Sequence, residues 1–163
     1  MAAPVCGTSR FRSAAWRRAE TARRREEEGA VAETPMTKKL HWKREPDAHD
    51  YPAARQYLSL LVTPMLAKAV VVTLRKAVIV SYKAKDLLRA SDLRLLPPDN
   101  FHVAKDLAKI AKGVKLSPVL VVRGDLTRGR ALTIADGYHR ICASFHVRED
   151  ADIPCRIADL PAS

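Results

Sequence analysis

The sequence predicts an α/β fold in which helices pack on a short sheet. Continuous apolar runs at residues 117–122 and 131–135 are typical of buried strands. Residues 50–74 and 99–111 instead repeat apolar side chains at helical spacing. The length of 163 residues is that of one domain, and 47% apolar residues suffice to fill one core.

Two helices are predicted ahead of the sheet, as a hairpin over residues 50–77. Asp50 can cap the first helix, which we expect to end near Val62. Thr63, followed by a proline, is a start signal for the second helix, although the β-branched run at 70–73 favours a strand. The apolar face expected for the first helix consists of Ala54, Tyr57, Leu58 and Leu61.

The core of the domain is predicted at residues 78–158. The third predicted helix of the chain, from Asn100 to Gly113, has an apolar face that should pack on the sheet. This face is formed by Val103, Leu107, Ile110 and Ala111. The elements expected in order are a strand at 78–82, a helical turn at 84–90, a helix from Asn100 to Gly113, strands at 117–122 and 131–135, a helix at 138–146 and a closing strand at 153–157.

Residues 1–45 are predicted to be a disordered arm of mixed charge ahead of a domain at residues 46–163. The first 35 residues hold seven arginines, five glutamates and no lysine, with little apolar surface to bury. Their arginine-rich opening also resembles an organelle transit peptide, an interpretation that the glutamate run at 26–28 weakens. Met36 opens a segment typical of an ordinary start, so an upstream extension without a role is the third interpretation.

The charge predicts an anionic partner without naming it. The chain has 29 basic and 18 acidic residues, a net charge of +11, and leaving out the seven arginines and five glutamates of residues 1–35 gives +9. Nucleic acid, nucleotide phosphates, an anionic membrane and mere solubility all fit this excess. Because neither a spanning apolar stretch nor a secretory signal is visible, we expect a cytoplasmic protein with no membrane partner and with three cysteine thiols.

The most informative segment is the junction at residues 134–143, where a predicted strand turns through Gly137 into a helix. The first N–H groups of that helix lack partners and the positive end of its dipole lies behind them, so the junction is suited to an anion. His139 and Arg140 add donors at a helix end where basic residues otherwise oppose the dipole. In the alternative, Gly137 makes only a tight turn and His139 is a surface residue. Arg140 then pairs with Asp136 or a neighbouring carboxylate.

This junction and its flanking strands resemble the ParB/sulfiredoxin-like fold over roughly residues 82–157. Gly137, Arg140 and the alanine one turn later match the Gly-Glu-Arg-Arg box of ParB proteins, with His139 in place of its first arginine. Gly137, His139 and Arg140 match the Gly-Cys-His-Arg of sulfiredoxins better. Members that phosphorylate small molecules carry a similar Asp-Gly-His-His-Arg. The resemblance implies an α+β arrangement with a mixed sheet, one that has both parallel and antiparallel strand pairs.

The resemblance also implies a phosphate-binding turn, with ATP or CTP and Mg²⁺ as ligands, at Gly137, Tyr138, His139 and Arg140. Tyr138 stands where sulfiredoxins carry their reactive cysteine, so we expect no sulfiredoxin activity. Cys142, one helical turn further on, is expected to face the core. The helix-turn-helix that follows the nucleotide domain of ParB proteins is missing, so we expect no ParB-type site-specific DNA binding from this chain.

A second candidate is the face of the third helix formed by His102, Lys105 and Lys109, which the resemblance places near the glycine turn. A basic face there would meet phosphates, although the solvated side of an amphipathic helix explains the same spacing. Asp136 is either a ligand for a Mg²⁺ ion that accompanies a triphosphate or the cap of the helix that begins at Tyr138.

Two functions compete. The first is a nucleotide-binding domain, an NTPase or small-molecule kinase if it is catalytic, for which Asp86, Asp99 and Asp106 are candidate bases by residue type alone. The second is a non-enzymatic basic module that binds a protein partner or the phosphates of nucleic acid. Aromatic residues at 6% disfavour base stacking, and a nuclease is disfavoured because no dense carboxylate cluster for two metals is visible.

Overall fold

Five helices and a four-stranded mixed sheet make up residues 39–161, the part of the chain that the computed structural model describes. The predicted α/β class is therefore confirmed, and the predicted arm up to residue 38 lies outside the described residues. The elements in chain order are α1 (Asp50–Leu58), α2 (Pro64–Lys76), β1 (Ile79–Lys83), α3 (Ala84–Ser91), α4 (Phe101–Ala111), β2 (Val119–Val122), a 3₁₀ turn (Leu126–Arg128), β3 (Thr133–Asp136), α5 (Tyr138–Val147) and β4 (Asp152–Ala158).

The sheet has the strand order β1-β4-β2-β3. The β4–β2 pair is parallel, and the β1–β4 and β2–β3 pairs are antiparallel. Because β3 runs antiparallel to β2, its last residue, Asp136, lies opposite Leu120 near the start of β2. The turn after β3 is thereby placed beside the segment that enters β2.

Helices cover both faces of the sheet. Val119 and Val121 belong to a buried cluster with side chains of α3, α4 and α5, whereas Leu120 and Val122 belong to a second cluster with α1 and α2. Side chains alternate between the two faces of a strand, so β2 is buried on both sides. This double burial explains why its sequence is continuously apolar rather than alternating.

Two helix starts are confirmed in detail. Thr63 accepts a hydrogen bond from the amide of Leu66 at 3.4 Å, with Pro64 in the first turn of α2. Asn100 caps α4 by accepting from the amides of His102 and Val103 at 3.1 and 3.3 Å. The predicted helix over the β-branched run is therefore correct, because a capped start and a buried apolar face outweigh the strand preference.

Helix α1 differs from its prediction. It ends at Leu58, and Asp50 is its first residue rather than its cap. Tyr57 and Leu61, expected in the core, are 41% and 56% exposed. Tyr51 is buried instead, at 5% exposure.

Residues 41–43, which were predicted within the arm, pair with the segment before β2. The amide of Lys43 donates to the carbonyl of Leu116 at 2.8 Å, and the amide of Leu116 donates to the carbonyl of His41 at 2.8 Å. Trp42 forms the corresponding parallel bridge with Leu116. Residues 39–45 thus pack with the domain and bring Lys43 to the edge of the candidate site.

Candidate functional site

The junction between β3 and α5 requires a glycine for two reasons. Gly137 has φ +99°, a left-handed conformation that side chains rarely adopt. A Cβ at this position would also lie 2.5 Å from Cγ1 of Val119 and 3.1 Å from Nε of Arg140. The turn therefore holds β3, β2 and α5 in close contact. No side chain caps the start of α5, so its first amide groups stay open to a ligand.

Arg140 is held by carboxylates. Its guanidinium donates to Asp136, to Oδ2 of Asp50 at 3.2 Å and to the carbonyl of Ser117 at 3.1 Å. Its side chain is only 12% exposed. This is the ion-pair alternative considered for Arg140. In this arrangement the side chain organises the turn and has little donor capacity left for a phosphate.

Asp50 was expected to cap α1, and the structure corrects this. Its carboxylate accepts from the hydroxyl of Ser117 and from the amide of Asp47 at 3.1 Å, besides its pair with Arg140. The Nε2 atom of His49 lies 3.3 Å from its other oxygen. Asp50 is thus a buried hub that joins α1, the entry to β2 and α5.

Asp136 does not cap α5 either, because its carboxylate accepts a hydrogen bond from Arg140 and not from the first amides of the helix. Burial raises the pKa of Asp136 to about 6, and the neighbouring Asp50 carboxylate adds to this rise although Arg140 opposes it. Its side chain keeps 22% exposure. Asp136 therefore combines contact with solvent and a pKa near neutrality, which suits either a proton or a metal ion.

His139 faces α4 from the first turn of α5. Its ring centroid lies 4.7 Å from that of His102. Burial lowers the pKa of His139, and the nearby His102 lowers it further. His139 is accordingly a partly buried imidazole whose environment favours its neutral form, whereas the alternative interpretation has it as a surface residue.

The predicted basic face of α4 lies beside the turn. His102, Lys105 and Lys109 line the same cleft as Gly137 and His139. Lys109 donates to Asp106 at 2.7 Å, and Asp106 is only 7% exposed. Lys105 is exposed and, within residues 39–161, forms no ion pair. Lys105 is therefore the better placed of the two lysines to meet a ligand.

The cleft has a volume of about 450 Å³ and is formed by residues 43–50, α4, residues 114–117 and the turn at 136–140. Five basic and four acidic side chains line it, together with three histidines. Sequence reasoning missed the contributions of Lys43, Lys115 and Asp50. The two lysines lie in segments that carry no motif, and Asp50 matched a helix cap. The cleft is strongly polar but nearly balanced in charge.

Tyr138 points out of the cleft, because its hydroxyl donates to the carbonyl of Arg94. Its side chain is therefore engaged outside the cleft, and a role for Tyr138 in phosphate binding would fall to its backbone amide. Cys142 is fully buried, as expected, and burial raises the pKa of its thiol.

Of the three aspartates considered as bases, Asp106 alone lines this cleft. Asp86 pairs with Arg89 at 3.0 Å and lies elsewhere, and Asp99 is exposed. In the described part of the chain no group of three or more His, Cys, Asp or Glu side chains is arranged to hold a metal ion. Magnesium is usually held by one or two carboxylates together with phosphate oxygens, so Asp136 remains a candidate of that kind.

No protein-family model, curated protein or solved structure gives a significant match to this chain. Within residues 39–161, no helix has the length and apolar composition needed to cross a membrane.

Proposed function

We propose that the cleft binds the phosphate groups of a nucleotide, with ATP or CTP and Mg²⁺ as the candidate ligands. One observation carries the proposal: the uncapped first turn of α5 and the basic face of α4 line one cleft. Backbone amides at a helix start, imidazole and lysine are groups that bind phosphates in proteins. The volume of about 450 Å³ lies in the range of small-molecule sites.

The residues have different roles in this proposal. The amides of Tyr138 and His139 donate to phosphate oxygens, and Lys105 supplies a mobile positive charge. Arg140 is a positioning residue, because it fixes Asp136 and the turn rather than the ligand. Asp136 contributes one carboxylate oxygen to Mg²⁺, and the phosphates supply others.

The charge balance of the cleft supports a ligand that carries its own metal ion. Because acidic and basic side chains are nearly equal in number, a bare triphosphate would meet Asp50 and Asp136 as well as the lysines. A Mg²⁺ ion between the phosphates and Asp136 removes that repulsion.

The sequence resemblance at Gly137, His139 and Arg140 supports the same ligand class. If the cleft is catalytic, the reaction class we propose is NTP hydrolysis or phosphoryl transfer to a small molecule. Such reactions depend chiefly on positioning and charge neutralisation, which a cleft with amides, Lys105 and a metal ion can supply.

A thermal-unfolding titration of the full chain tests this proposal. ATP, CTP or GTP at about 10 mM with Mg²⁺ should stabilise the protein by about 2.7 kcal/mol if Kd is about 100 µM. Lys105→Ala should weaken binding roughly tenfold, the cost of about 1.4 kcal/mol. Lys76→Ala, which removes an exposed lysine from α2 outside the cleft, is the matched control. Absence of a shift with all three nucleotides, or equal losses in both variants, would contradict the proposal.

Nucleic acid is the second candidate, favoured by the exposed lysines 105, 112 and 115 around the cleft. Binding through phosphates alone predicts an affinity that falls steeply with salt. A DNA-binding titration between about 50 and 200 mM salt distinguishes it from nucleotide binding, since a short nucleotide releases few counterions.

A further inference from the structure

A second cavity, of about 350 Å³, lies between α3, the sheet and the hairpin of residues 123–132. It shares no lining residue with the cleft at Gly137. Leu87 and Val121, which are 3% and 0% exposed, form part of its wall together with the half-buried Leu132. Because these side chains are packed into the core, the wall is preformed rather than a gap between mobile loops.

The charged groups at this cavity differ in whether they already have hydrogen-bond or ion-pair partners. Arg123 donates to Asp159 at 2.6 Å, and Asp86 pairs with Arg89 at 3.0 Å. Arg130 is different. Among the described residues its Nε is one of three buried side-chain nitrogen or oxygen atoms without a hydrogen-bond partner.

The nearest acid to Arg130 does not form a good hydrogen bond with it. The Nη2 atom of Arg130 lies 3.6 Å from Oδ2 of Asp125, beyond ordinary hydrogen-bond length. The other carboxylate oxygen of Asp125 accepts from the hydroxyl and amide of Thr127 at 2.6 and 3.0 Å. The backbone of Arg130 is fixed, because it exchanges hydrogen bonds with that of Asp125 at 2.8 and 2.9 Å. Arg130, whose side chain is 40% exposed and whose buried Nε has no partner, thus borders an apolar cavity.

We propose that this cavity binds a small carboxylic acid with an apolar body, whose carboxylate pairs with Arg130 while the apolar part lies against Leu87, Val121 and Leu132. The planar fork of a guanidinium matches a carboxylate in shape and charge. The cavity volume limits the body to the size of a single ring or a short branched chain.

Titration of the full chain with phenylacetate, 3-methylbutanoate and hexanoate tests this proposal, with amide chemical shifts as the readout. At least one acid should give saturable shifts at residues of the cavity, and the neutral phenylacetamide should bind at least tenfold more weakly than phenylacetate. Arg130→Gln should abolish the preference for the acid, whereas Arg128→Gln, which changes a neighbouring arginine outside the cavity wall, should preserve it.

A second variant covers the case in which Arg130→Gln fails to fold. Ala90 is exposed on α3 and lines the cavity, so Ala90→Phe should fill the space and abolish binding while Arg130 is retained. Equal binding of acid and amide, unchanged binding in Ala90→Phe, or no saturable shift with any of the three acids would overturn the proposal. None of these outcomes depends on nucleotide binding at Gly137.

Discussion

The guanidinium of Arg140 donates to the carboxylate of Asp50 at 3.2 Å, across ninety positions of the sequence. The same guanidinium holds Asp136 four residues before it. Helix α1, the end of β3 and the start of α5 are therefore joined through one largely buried side chain, which is 12% exposed. These three side chains line the cleft. Because they bind one another, their contacts determine which other groups of the cleft remain able to bind a ligand.

Arg140→Ala should destabilise the protein strongly. It leaves the buried carboxylate of Asp50 and the partly buried carboxylate of Asp136 without their shared cation, and breaking a buried pair typically costs about 3–5 kcal/mol. Arg140→Lys should cost less, because it keeps the charge and loses the fork. Denaturation in urea measures both variants. A loss below about 1 kcal/mol in Arg140→Ala would mean that the two aspartates do not depend on it.

Asp136 should make stability fall as the pH rises from about 4 to about 6. Its pKa is raised from 3.8 to about 6 in the folded protein, so the folded state binds more protons than the unfolded state in this range. The stabilisation is fully present below the unfolded pKa and lost as the pH passes the folded one. Relative to Asp136→Asn in metal-free buffer, the loss should be on the order of 2 kcal/mol. A difference between the two proteins that stays constant from pH 4 to pH 7 would contradict this assignment.

Gly137→Ala should be far more damaging than Gly113→Ala. Both glycines have positive φ, +99° and +68°, so each substitution strains the backbone by about 1–2 kcal/mol. A Cβ at Gly113 meets nothing within 4 Å, whereas one at Gly137 lies 2.5 Å from a core valine. Gly137→Ala should therefore cost roughly 1–3 kcal/mol more. Thermal unfolding of the pair measures the difference, and equal losses would show that the turn can relax.

His139 should make nucleotide binding tighter at low pH. Burial and His102 lower the pKa of His139 in the free protein, and an adjacent phosphate would favour the protonated imidazole. Calorimetric titration at pH 6 and pH 8 should thus show a larger change in affinity for the native chain than for His139→Gln. The variant is the needed control, because the terminal phosphate also takes up a proton in this range. The same pH dependence in both proteins would show that the imidazole of His139 does not contact the phosphates.

The features that sequence predicts well are those determined by neighbouring residues. The caps at Thr63 and Asn100 and the buried run of β2 depend on local hydrogen bonding and on double burial, which leave a pattern in the residues themselves. The glycine turn is likewise predictable. The strand ends at Asp136 and the helix begins at Tyr138, so Gly137 alone must make the turn between them.

The features that sequence could not predict depend on contacts between distant segments. Asp50 is a residue type that matches a cap, yet it is the first residue of α1, and Ser117 and Arg140 bind its carboxylate from far along the chain. Tyr138 adjoins the turn but reaches the carbonyl of Arg94. Tyr57 and Leu61 have core spacing, but α1 ends too early for Leu61 to share its face. For Asp50 and Tyr138, contacts with distant residues decide between local patterns that fit the sequence equally well.

The most direct measurement is a titration of the isotopically labelled full chain with ATP and Mg²⁺, following the backbone amide resonances of Tyr138 and His139. We expect saturable shifts at these two amides, among the largest in the protein, and a midpoint at roughly tenfold higher ATP in Lys105→Ala but not in Lys76→Ala. Shifts that do not saturate, or saturable shifts confined to residues away from the turn and α4, would contradict a phosphate site at Gly137.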